Sequence, residues 1–174
     1  MNTRDYIVLE DLYGAHNYHP LDAVITRAKG VWVFDVEGEK YLDFLSAYSA
    51  VNQGHCHPRI VKVLQDQAKR LTLTSRAFRN DQWPFLAKEL SEWTGYEMVL
   101  PMNSGAEAVE TALKAARKWA YQKKGIAQDQ AEIIACSNNF HGRTIALISF
   151  STEPLYRNDF GPYAPGFVVI PYGD

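Results

Sequence analysis

Apolar residues recur every three or four positions in three stretches of the chain, as they do on the buried face of a helix. The pattern predicts one helix that begins at Pro58, where the missing backbone N–H costs nothing. It predicts a second helix over residues 82–94, which ends at Gly95. A third, long helix follows Gly105 and reaches about Lys124. Its apolar face consists of Ala106, Val109, Leu113, Ala116 and Ala120.

Short apolar runs between these helices predict strands. Residues 31–35 and 40–44 form a predicted hairpin, with Gly38 in its turn. Three further strands are predicted at residues 98–102, 132–136 and 167–170. A short helical stretch is predicted at residues 143–149. From Tyr96 onward, strands and helices therefore alternate along the chain. This order predicts a parallel sheet with right-handed crossovers.

The last predicted strand lies close to the end of the sequence. Residues 167–170 are apolar, yet no further helix follows that could cover them. A bare apolar sheet edge is unfavourable in water. We therefore expect the 174-residue chain to be incomplete, or to be completed by a partner chain.

The composition is that of a globular protein, and it excludes several classes of function. Of the 174 residues, 47% are hydrophobic and 22% are charged, and the formal net charge is -2. Because there is no basic block, neither nucleic-acid binding nor a membrane-surface role is expected. Because there is no long apolar run or apolar leader, neither a membrane span nor export is expected. Cys56 and Cys136 form no CxxC pair, so a disulfide scaffold is not expected and a cytoplasmic location is predicted.

The start of the long helix carries the most informative motif, NSGAEAVE at residues 103–110. Free backbone N–H groups and the helix dipole favour an anion at such a position. Ser104 adds a hydroxyl, and Gly105 allows a phosphate to approach the backbone closely. A plain helix cap made by Asn103 and Ser104 is the alternative. GxxxxGK[ST] and GxGxxG motifs are both absent, so neither a nucleotide P-loop nor a dinucleotide fold is indicated.

Two further groups of residues could contact a ligand. The loop after residues 132–136 would lie at the carboxyl end of a parallel strand, where such sheets bind ligands. In this loop, Phe140 could stack on a planar ring and Arg143 could bind a carboxylate through two hydrogen bonds. The alternatives are a core phenylalanine and a surface arginine. Tyr18 and Tyr48 could orient a carboxylate or an amine, although such tyrosines are more often structural.

No metal site is predicted. His55 and His57 flank Cys56 and could share one face of a strand, but no second cluster supplies the remaining ligands at a familiar spacing. Glu107 and Glu110, near the start of the long helix, are interpreted as partners of the helix dipole.

Several tracts together resemble the class III aminotransferases, which use pyridoxal phosphate (PLP). The NSGAEA stretch is shared across that class, whereas GAHNYHP and YSAVNQGHCHP are typical of its ornithine aminotransferase branch. The likeness extends over essentially all 174 residues. The tracts that carry it are residues 13–20, 48–58, 71–78, 100–108 and 140–144.

The resemblance implies an α/β fold, the amino-terminal part of a fold-type-I PLP-dependent transferase with an incomplete, mostly parallel sheet flanked by helices. Residues 1–50 would belong to the small domain and carry its β-hairpin, and residues 51–174 would form the first part of the large PLP-binding domain. The resemblance also implies a homodimer. The implied reaction converts L-ornithine and 2-oxoglutarate into glutamate 5-semialdehyde and L-glutamate. Activity on acetylornithine or 4-aminobutyrate is the alternative.

The resemblance also implies a cofactor site. Ser104, Gly105 and Ala106 would hold the PLP phosphate, and Phe140 would stack on the pyridine ring. The family often has a tryptophan or a tyrosine at the position of His141, so the contacts beside the ring are expected to differ here.

The implied substrate-binding residues are Tyr18 and Arg143 for the α-carboxylate, and Tyr48 for the preference for ornithine over other amines. No catalytic residue is implied within the chain, because the family's Schiff-base lysine is expected beyond residue 174. The chain by itself is therefore expected to be inactive. It is interpreted as part of a competent enzyme, with a non-catalytic remnant that binds a phosphate ligand or a partner chain as the alternative.

Overall fold

Two units, Met1–Asn80 and Asp81–Asp174, make up the chain in the computed structural model, which describes all residues from 1 to 174. The sequence-based boundary after residue 50 concerns the domains of the family and stays a prediction. None of the helices combines the length and the apolar character that a membrane crossing requires.

A three-stranded antiparallel sheet organises the first unit. Its elements are α1 (Thr3–Tyr13), β1 (Ile25–Lys29), β2 (Trp32–Asp35), β3 (Lys40–Leu42), α2 (Ser46–Ser49) and α3 (Pro58–Ala68). The strands lie in the order β1, β2, β3, and Gly38 in the β2–β3 turn has a φ of 92°. The predicted hairpin and the helix that begins at Pro58 are thereby confirmed.

Asp35 ties the hairpin turn together and is buried. Its carboxylate accepts hydrogen bonds from the Tyr41 hydroxyl at 2.7 Å and from the backbone N–H groups of Glu37 and Glu39 at 3.0 and 2.8 Å. The hydrogen bond from Tyr41 is the main reason that the pKa of Asp35 lies below its ordinary value, although burial alone would raise it. A charged carboxylate thus stabilises the turn that joins β2 to β3.

The second unit contains a parallel strand pair flanked by helices. Its elements are α4 (Trp83–Thr94), α5 (Gly105–Gln122), β4 (Ile133–Cys136), α6 (Ile145–Ile148), α7 (Pro154–Arg157) and β5 (Phe167–Ile170). β4 and β5 pair in parallel, with Ile133 opposite Phe167 and Cys136 opposite Ile170. α4 ends at Gly95, which has a left-handed φ of 77°. These findings confirm the predicted helices, the parallel pairing and the helix stop.

No strand forms at residues 98–102, so that prediction is wrong. A strand needs a neighbour with which to exchange backbone hydrogen bonds, and in this unit only β4 and β5 pair. Pro101 also lacks the N–H that a ladder would use. The segment is an irregular connection in which Met98 and Leu100 are 86% and 70% exposed.

The core of the second unit joins α5, α6 and the strand pair. Leu147 and Phe150 are 1% and 2% exposed, and both pack with Ala135 of β4. Phe167 of β5 places its ring centroid 4.6 Å from that of Phe150. The residues of α5 that pack against this cluster are Ala106, Val109 and Leu113, as the helical spacing predicts. This packing fixes the first turns of α5 relative to β4.

Candidate functional site

The amino end of α5 presents two backbone N–H groups without partners. Ser104 is the N-cap, and its hydroxyl oxygen accepts a hydrogen bond from the N–H of Glu107 at 3.2 Å. The Glu107 carboxylate accepts one from the N–H of Asn103 at 2.8 Å. The N–H groups of Gly105 and Ala106 make no hydrogen bond within the chain. Such unpaired N–H groups at the start of a helix are suited to an anion.

The space beside these amides is open. A Cβ atom placed on Gly105 would meet no other atom within 4 Å. Ser104 acts as a cap, which was the alternative interpretation, but a serine hydroxyl can accept one hydrogen bond and donate another. The cap and an anion site are therefore compatible at this position. The residues present fit a phosphate group, with two amides and one hydroxyl available as donors.

The loop that follows β4 is packed against the first turns of α5. Gly142 has a φ of 126°, and a Cβ atom there would lie 3.0 Å from the Cβ of Ala106 and 2.6 Å from Cδ1 of Leu147. Two residues further on, the Thr144 hydroxyl donates a hydrogen bond to the Glu110 carboxylate. The absence of a side chain at Gly142 thus allows the loop of Phe140 and Arg143 to approach the helix end.

Phe140 and Arg143 form an aromatic and cationic cluster with Tyr156. The ring of Phe140 is 62% exposed and meets Tyr156 edge to face at 5.7 Å between centroids. The Arg143 guanidinium lies 5.8 Å from the Phe140 centroid and 5.4 Å from the Tyr156 centroid. Because Phe140 is exposed, the alternative of a core phenylalanine is wrong. Its accessible ring can stack on a planar ligand.

Asn139 and His141 hold the base of this loop. The Asn139 side-chain amide donates to the backbone carbonyls of Cys136 and Phe150 at 2.6 and 3.0 Å. Nδ1 of His141 lies 3.0 Å from Oδ1 of Asn139, and its ring packs 5.2 Å from the ring of Phe150. His141 is therefore held by Asn139 and by the core residue Phe150.

A cleft of about 530 Å³ lies beside the same loop. Phe140 and His141 line it, whereas Ser104, Gly105 and Ala106 do not. Other residues around the cleft are Val109, Leu113, Ala135 and Tyr172. The cleft is thus mainly apolar and adjoins the exposed ring of Phe140, and the residues that carry the unpaired amides, Gly105 and Ala106, do not line it.

In the first unit, Tyr48 lies in a turn of unusual backbone conformation. All four residues of α2 have positive φ values, 49°, 48°, 56° and 69° from Ser46 to Ser49. At Ala47 and Tyr48 the ψ values are 50° and 46°, which is left-handed helical geometry. This conformation costs non-glycine residues about 1–2 kcal/mol each. Tyr48 itself is 79% exposed, so the turn presents its side chain outward.

Asp43 and His55 lie at the base of this turn. One oxygen of the Asp43 carboxylate accepts hydrogen bonds from the N–H groups of Leu45 and Ser46, at 3.0 and 2.8 Å. The other oxygen lies 2.7 Å from Nε2 of His55. The hydrogen bond with His55 is the main reason that the pKa of Asp43 lies below its ordinary value. His55, considered above as a metal ligand, is thus a partner of a carboxylate.

Tyr18 lies in the connection between α1 and β1, within the GAHNYHP tract. Its side chain is exposed, and the residue takes part in an interaction within the chain. No group of three or more histidine, cysteine, aspartate or glutamate side chains lies close enough together to hold a metal ion. Both cysteines, Cys56 and Cys136, are free thiols.

A family model described as aminotransferase class-III matches residues 13–174. The chain belongs to the class III aminotransferases. An ornithine aminotransferase of Bordetella pertussis is 63% identical over 166 residues, which are 95% of this class III chain and 40% of the relative. The chain therefore spans about two fifths of the length of the curated relatives it matches.

Solved structures share the fold of this class III chain. A structure of ornithine aminotransferase from Toxoplasma gondii, with partial occupancy of PLP at its active site, superposes with a TM-score of 0.97 at 48% identity. The superposition spans 99% of this chain and 41% of the Toxoplasma gondii chain. An acetylornithine aminotransferase from Elizabethkingia anophelis gives a TM-score of 0.83 at 57% identity, over 99% of this chain and 41% of that one. The predicted partial α/β aminotransferase fold is confirmed.

Three residues that the sequence analysis did not single out contribute to this geometry. Tyr156 contacts both Phe140 and Arg143, although it lies on α7, which was not predicted. Asn139 fixes the loop, and Asp43 caps the turn of Tyr48. Asn139 lies in the predicted loop after residues 132–136. In the sequence, only its position next to Phe140 indicates that it could contribute to the site. The contacts of Tyr156 and Asp43 depend on the folded turns around them.

Proposed function

We propose that the full-length gene product that contains this chain is an ornithine aminotransferase. It transfers the δ-amino group of L-ornithine to 2-oxoglutarate, which gives glutamate 5-semialdehyde and L-glutamate. The observation that carries the proposal is the pair of unpaired amides at Gly105 and Ala106, next to the loop of Phe140 and Arg143. The choice of ornithine is supported by the 63% identity to the Bordetella pertussis enzyme.

In this proposal PLP is the cofactor. The N–H groups of Gly105 and Ala106 and the hydroxyl of Ser104 donate hydrogen bonds to its phosphate, and the positive end of the α5 dipole adds to the attraction. Phe140 packs its exposed face on the pyridine ring. When bound, the cofactor supplies the electron sink that bond cleavage beside the substrate amine requires.

The substrate-binding residues are assigned by the same proposal. Arg143 binds the α-carboxylate, because a guanidinium matches a carboxylate with two parallel hydrogen bonds. Phe140 and Tyr156 flank this guanidinium and limit its orientations. The assignments of Tyr18 to the α-carboxylate and of Tyr48 to ornithine preference rest on the family motifs.

The test is an assay of the full-length gene product with PLP and 2-oxoglutarate, in which formation of L-glutamate is measured. L-Ornithine, N-acetylornithine and 4-aminobutyrate serve as competing amino donors. We expect the highest kcat/KM with L-ornithine. Absence of turnover with ornithine, in a preparation that binds PLP, would contradict the proposal.

Acetylornithine aminotransferase is the second candidate function. It is favoured by the 57% identity to the Elizabethkingia anophelis enzyme of that name. The two candidates differ in whether the α-amino group of the substrate is acetylated. A kcat/KM that is higher with N-acetylornithine than with ornithine would select the second candidate.

We also propose that the full-length gene product is a cytoplasmic homodimer. The free thiols of Cys56 and Cys136 are compatible with a reducing compartment. Light scattering coupled to gel filtration would measure the oligomeric state, and a monomeric mass in an active preparation would contradict the dimer.

A further inference from the structure

The position of Tyr48 depends on the backbone of α2. The side chain of Tyr48 is exposed, so its direction is set by the backbone that carries it. The turn itself is closed by a few backbone hydrogen bonds, from the N–H of Ser49 to the carbonyl of Leu45 at 3.3 Å, from the N–H of Ala50 to the carbonyl of Ala47 at 3.3 Å and from the N–H of Val51 to the carbonyl of Ser46 at 3.0 Å. A left-handed turn of L-residues is unfavourable by itself, so contacts outside it must hold it.

Asp43 supplies one such contact and connects the turn to the sheet. Its backbone N–H donates to the carbonyl of Val31 at 2.9 Å, beside the start of β2. Its carboxylate binds the N–H groups of Leu45 and Ser46 as the chain enters the turn. The carboxylate therefore fixes the direction in which the backbone leaves the sheet.

His55 holds the same carboxylate from the other side. Its backbone exchanges two hydrogen bonds with Gly30, at 2.9 and 2.8 Å, and its Nε2 reaches Asp43 at 2.7 Å. The side chains of Asp43 and His55 are only 16% and 24% exposed. Since Gly30 and Val31 are adjacent, both ends of the segment that carries Tyr48 are attached at one place, the turn between β1 and β2.

We propose that Asp43 and His55 are positioning residues, which hold the left-handed turn α2 and thereby place Tyr48 where it selects ornithine. This inference rests on the proposed function in its assignment of Tyr48. Neither residue is expected to touch the substrate. Loss of either should change the choice between substrates through Tyr48.

The experiment compares Asp43→Ala with Asp66→Ala in the full-length gene product. Asp66 is a matched control, because it lies on the exposed face of α3 and pairs only with Lys62. The measured quantity is kcat/KM for L-ornithine divided by kcat/KM for 4-aminobutyrate. This ratio does not depend on the fraction of active protein. We expect it to fall about tenfold in Asp43→Ala and to stay unchanged in the control.

Two further variants separate positioning from a loss of folding. Asp43→Asn keeps one side-chain oxygen for the two backbone donors, and it should give an intermediate fall in the ratio if Asp43→Ala does not fold. The glutamine in His55→Gln can still donate a hydrogen bond to Asp43. The kcat/KM ratio should therefore fall less in His55→Gln than in His55→Ala. In a Tyr48→Ala background, Asp43→Ala should cause no further change, because both act through one side chain.

Equal losses on both substrates with an unchanged ratio would overturn the proposal. A crystal structure of Asp43→Ala tests independently of enzyme activity whether Asp43 holds the turn. Right-handed or disordered residues 46–49 are expected, and an intact left-handed turn would overturn the proposal. If the wild-type protein does not use ornithine, the proposed function fails, but the crystal structure still decides whether Asp43 holds the turn.

Discussion

At Gly142 the neighbouring side chains leave no room for a Cβ atom. We expect Gly142→Ala to destabilise the fold by about 1–3 kcal/mol, because the methyl group would meet Ala106 and Leu147 and the φ of 126° is unfavourable for alanine. We also expect weaker PLP binding, since the loop must move away from the start of α5. Urea unfolding and PLP titration of the full-length gene product would measure the two effects.

Gly125→Ala is the control for this substitution. Gly125 also has a left-handed φ, of 71°, but a Cβ atom there would meet nothing within 4 Å. Gly125→Ala should lower the free energy of unfolding only by the cost of the left-handed backbone and should leave the PLP affinity unchanged. Equal changes in both variants would mean that the close contact with Ala106 does not matter.

Asp35 gives a prediction about pH. Its pKa in the folded state lies below the ordinary value of 3.8, chiefly because of the hydrogen bond from Tyr41. The charged form therefore stabilises the fold at pH values above about 3.8, and this contribution is lost as the pH falls through the lower folded pKa. Asp35→Asn should lower the melting temperature at pH 7, and the difference from wild type should shrink toward pH 3. A constant difference between the two pH values would contradict this account.

Residue chemistry was predicted unevenly from the sequence. The sequence nominates Ser104 and Gly105 for a phosphate site because an apolar segment, small residues and a periodic helix follow one another in order, and their role stays a prediction. Asp43 and His55 were not recognised as a pair, because they lie twelve positions apart and meet only after α2 adopts its left-handed turn. Folded geometry, and not local spacing, defines such contacts.

The amino end of α5 is the element to which we assign the binding of the PLP phosphate in the proposed function. Gly105→Asp should abolish measurable PLP binding in the full-length gene product, because a carboxylate beside the two free amides repels a phosphate and occupies its place. Absorbance titration with PLP would measure the loss. Gly105→Ala is the matched control, since its Cβ meets no atom within 4 Å and should affect binding far less. Unchanged affinity in Gly105→Asp would remove the phosphate assignment.

Elements with a strong period were predicted well, and those without one were missed. The helical spacing of Ala106, Val109 and Leu113 predicted α5, and short apolar runs predicted β4 and β5. α1 was missed because none of its residues is buried, although Asn2 and Asp5 form a capping box that could have indicated its start. The apolar run at residues 98–102 was misleading, because strand formation also needs a neighbouring strand.

The whole chain exposes many large apolar side chains. They include Phe44, Leu73, Trp93, Met98, Leu155 and Tyr172. Apolar surface of this extent normally marks contact regions. We expect the 174-residue chain produced by itself to bind a hydrophobic dye such as ANS strongly and to associate in gel filtration. The full-length ornithine aminotransferase of Bordetella pertussis serves as the reference, and equally weak dye binding by both would contradict the expectation.

The fold class of the whole chain followed from the order of its elements. Alternating strands and helices after Tyr96 predicted the parallel pair, which the structure and its solved relatives confirm. The family motifs added the identity of the fold. The position of Tyr48 could not be predicted, because a left-handed run of four L-residues contradicts every local preference of those residues.

The attachment of residues 43–55 to neighbouring points on the sheet has a consequence for how this protein can vary. Asp43 is bonded to Val31 and His55 to Gly30, so the chain leaves and returns at almost the same place. A loop with adjoining ends can change in length and sequence without disturbing the strands beneath it. Residues 44–54 therefore form a segment that can be exchanged as a unit. If Tyr48 selects the amine as proposed, we expect that grafting the corresponding segment of a relative will alter the amine accepted while β1, β2 and β3 keep their pairing.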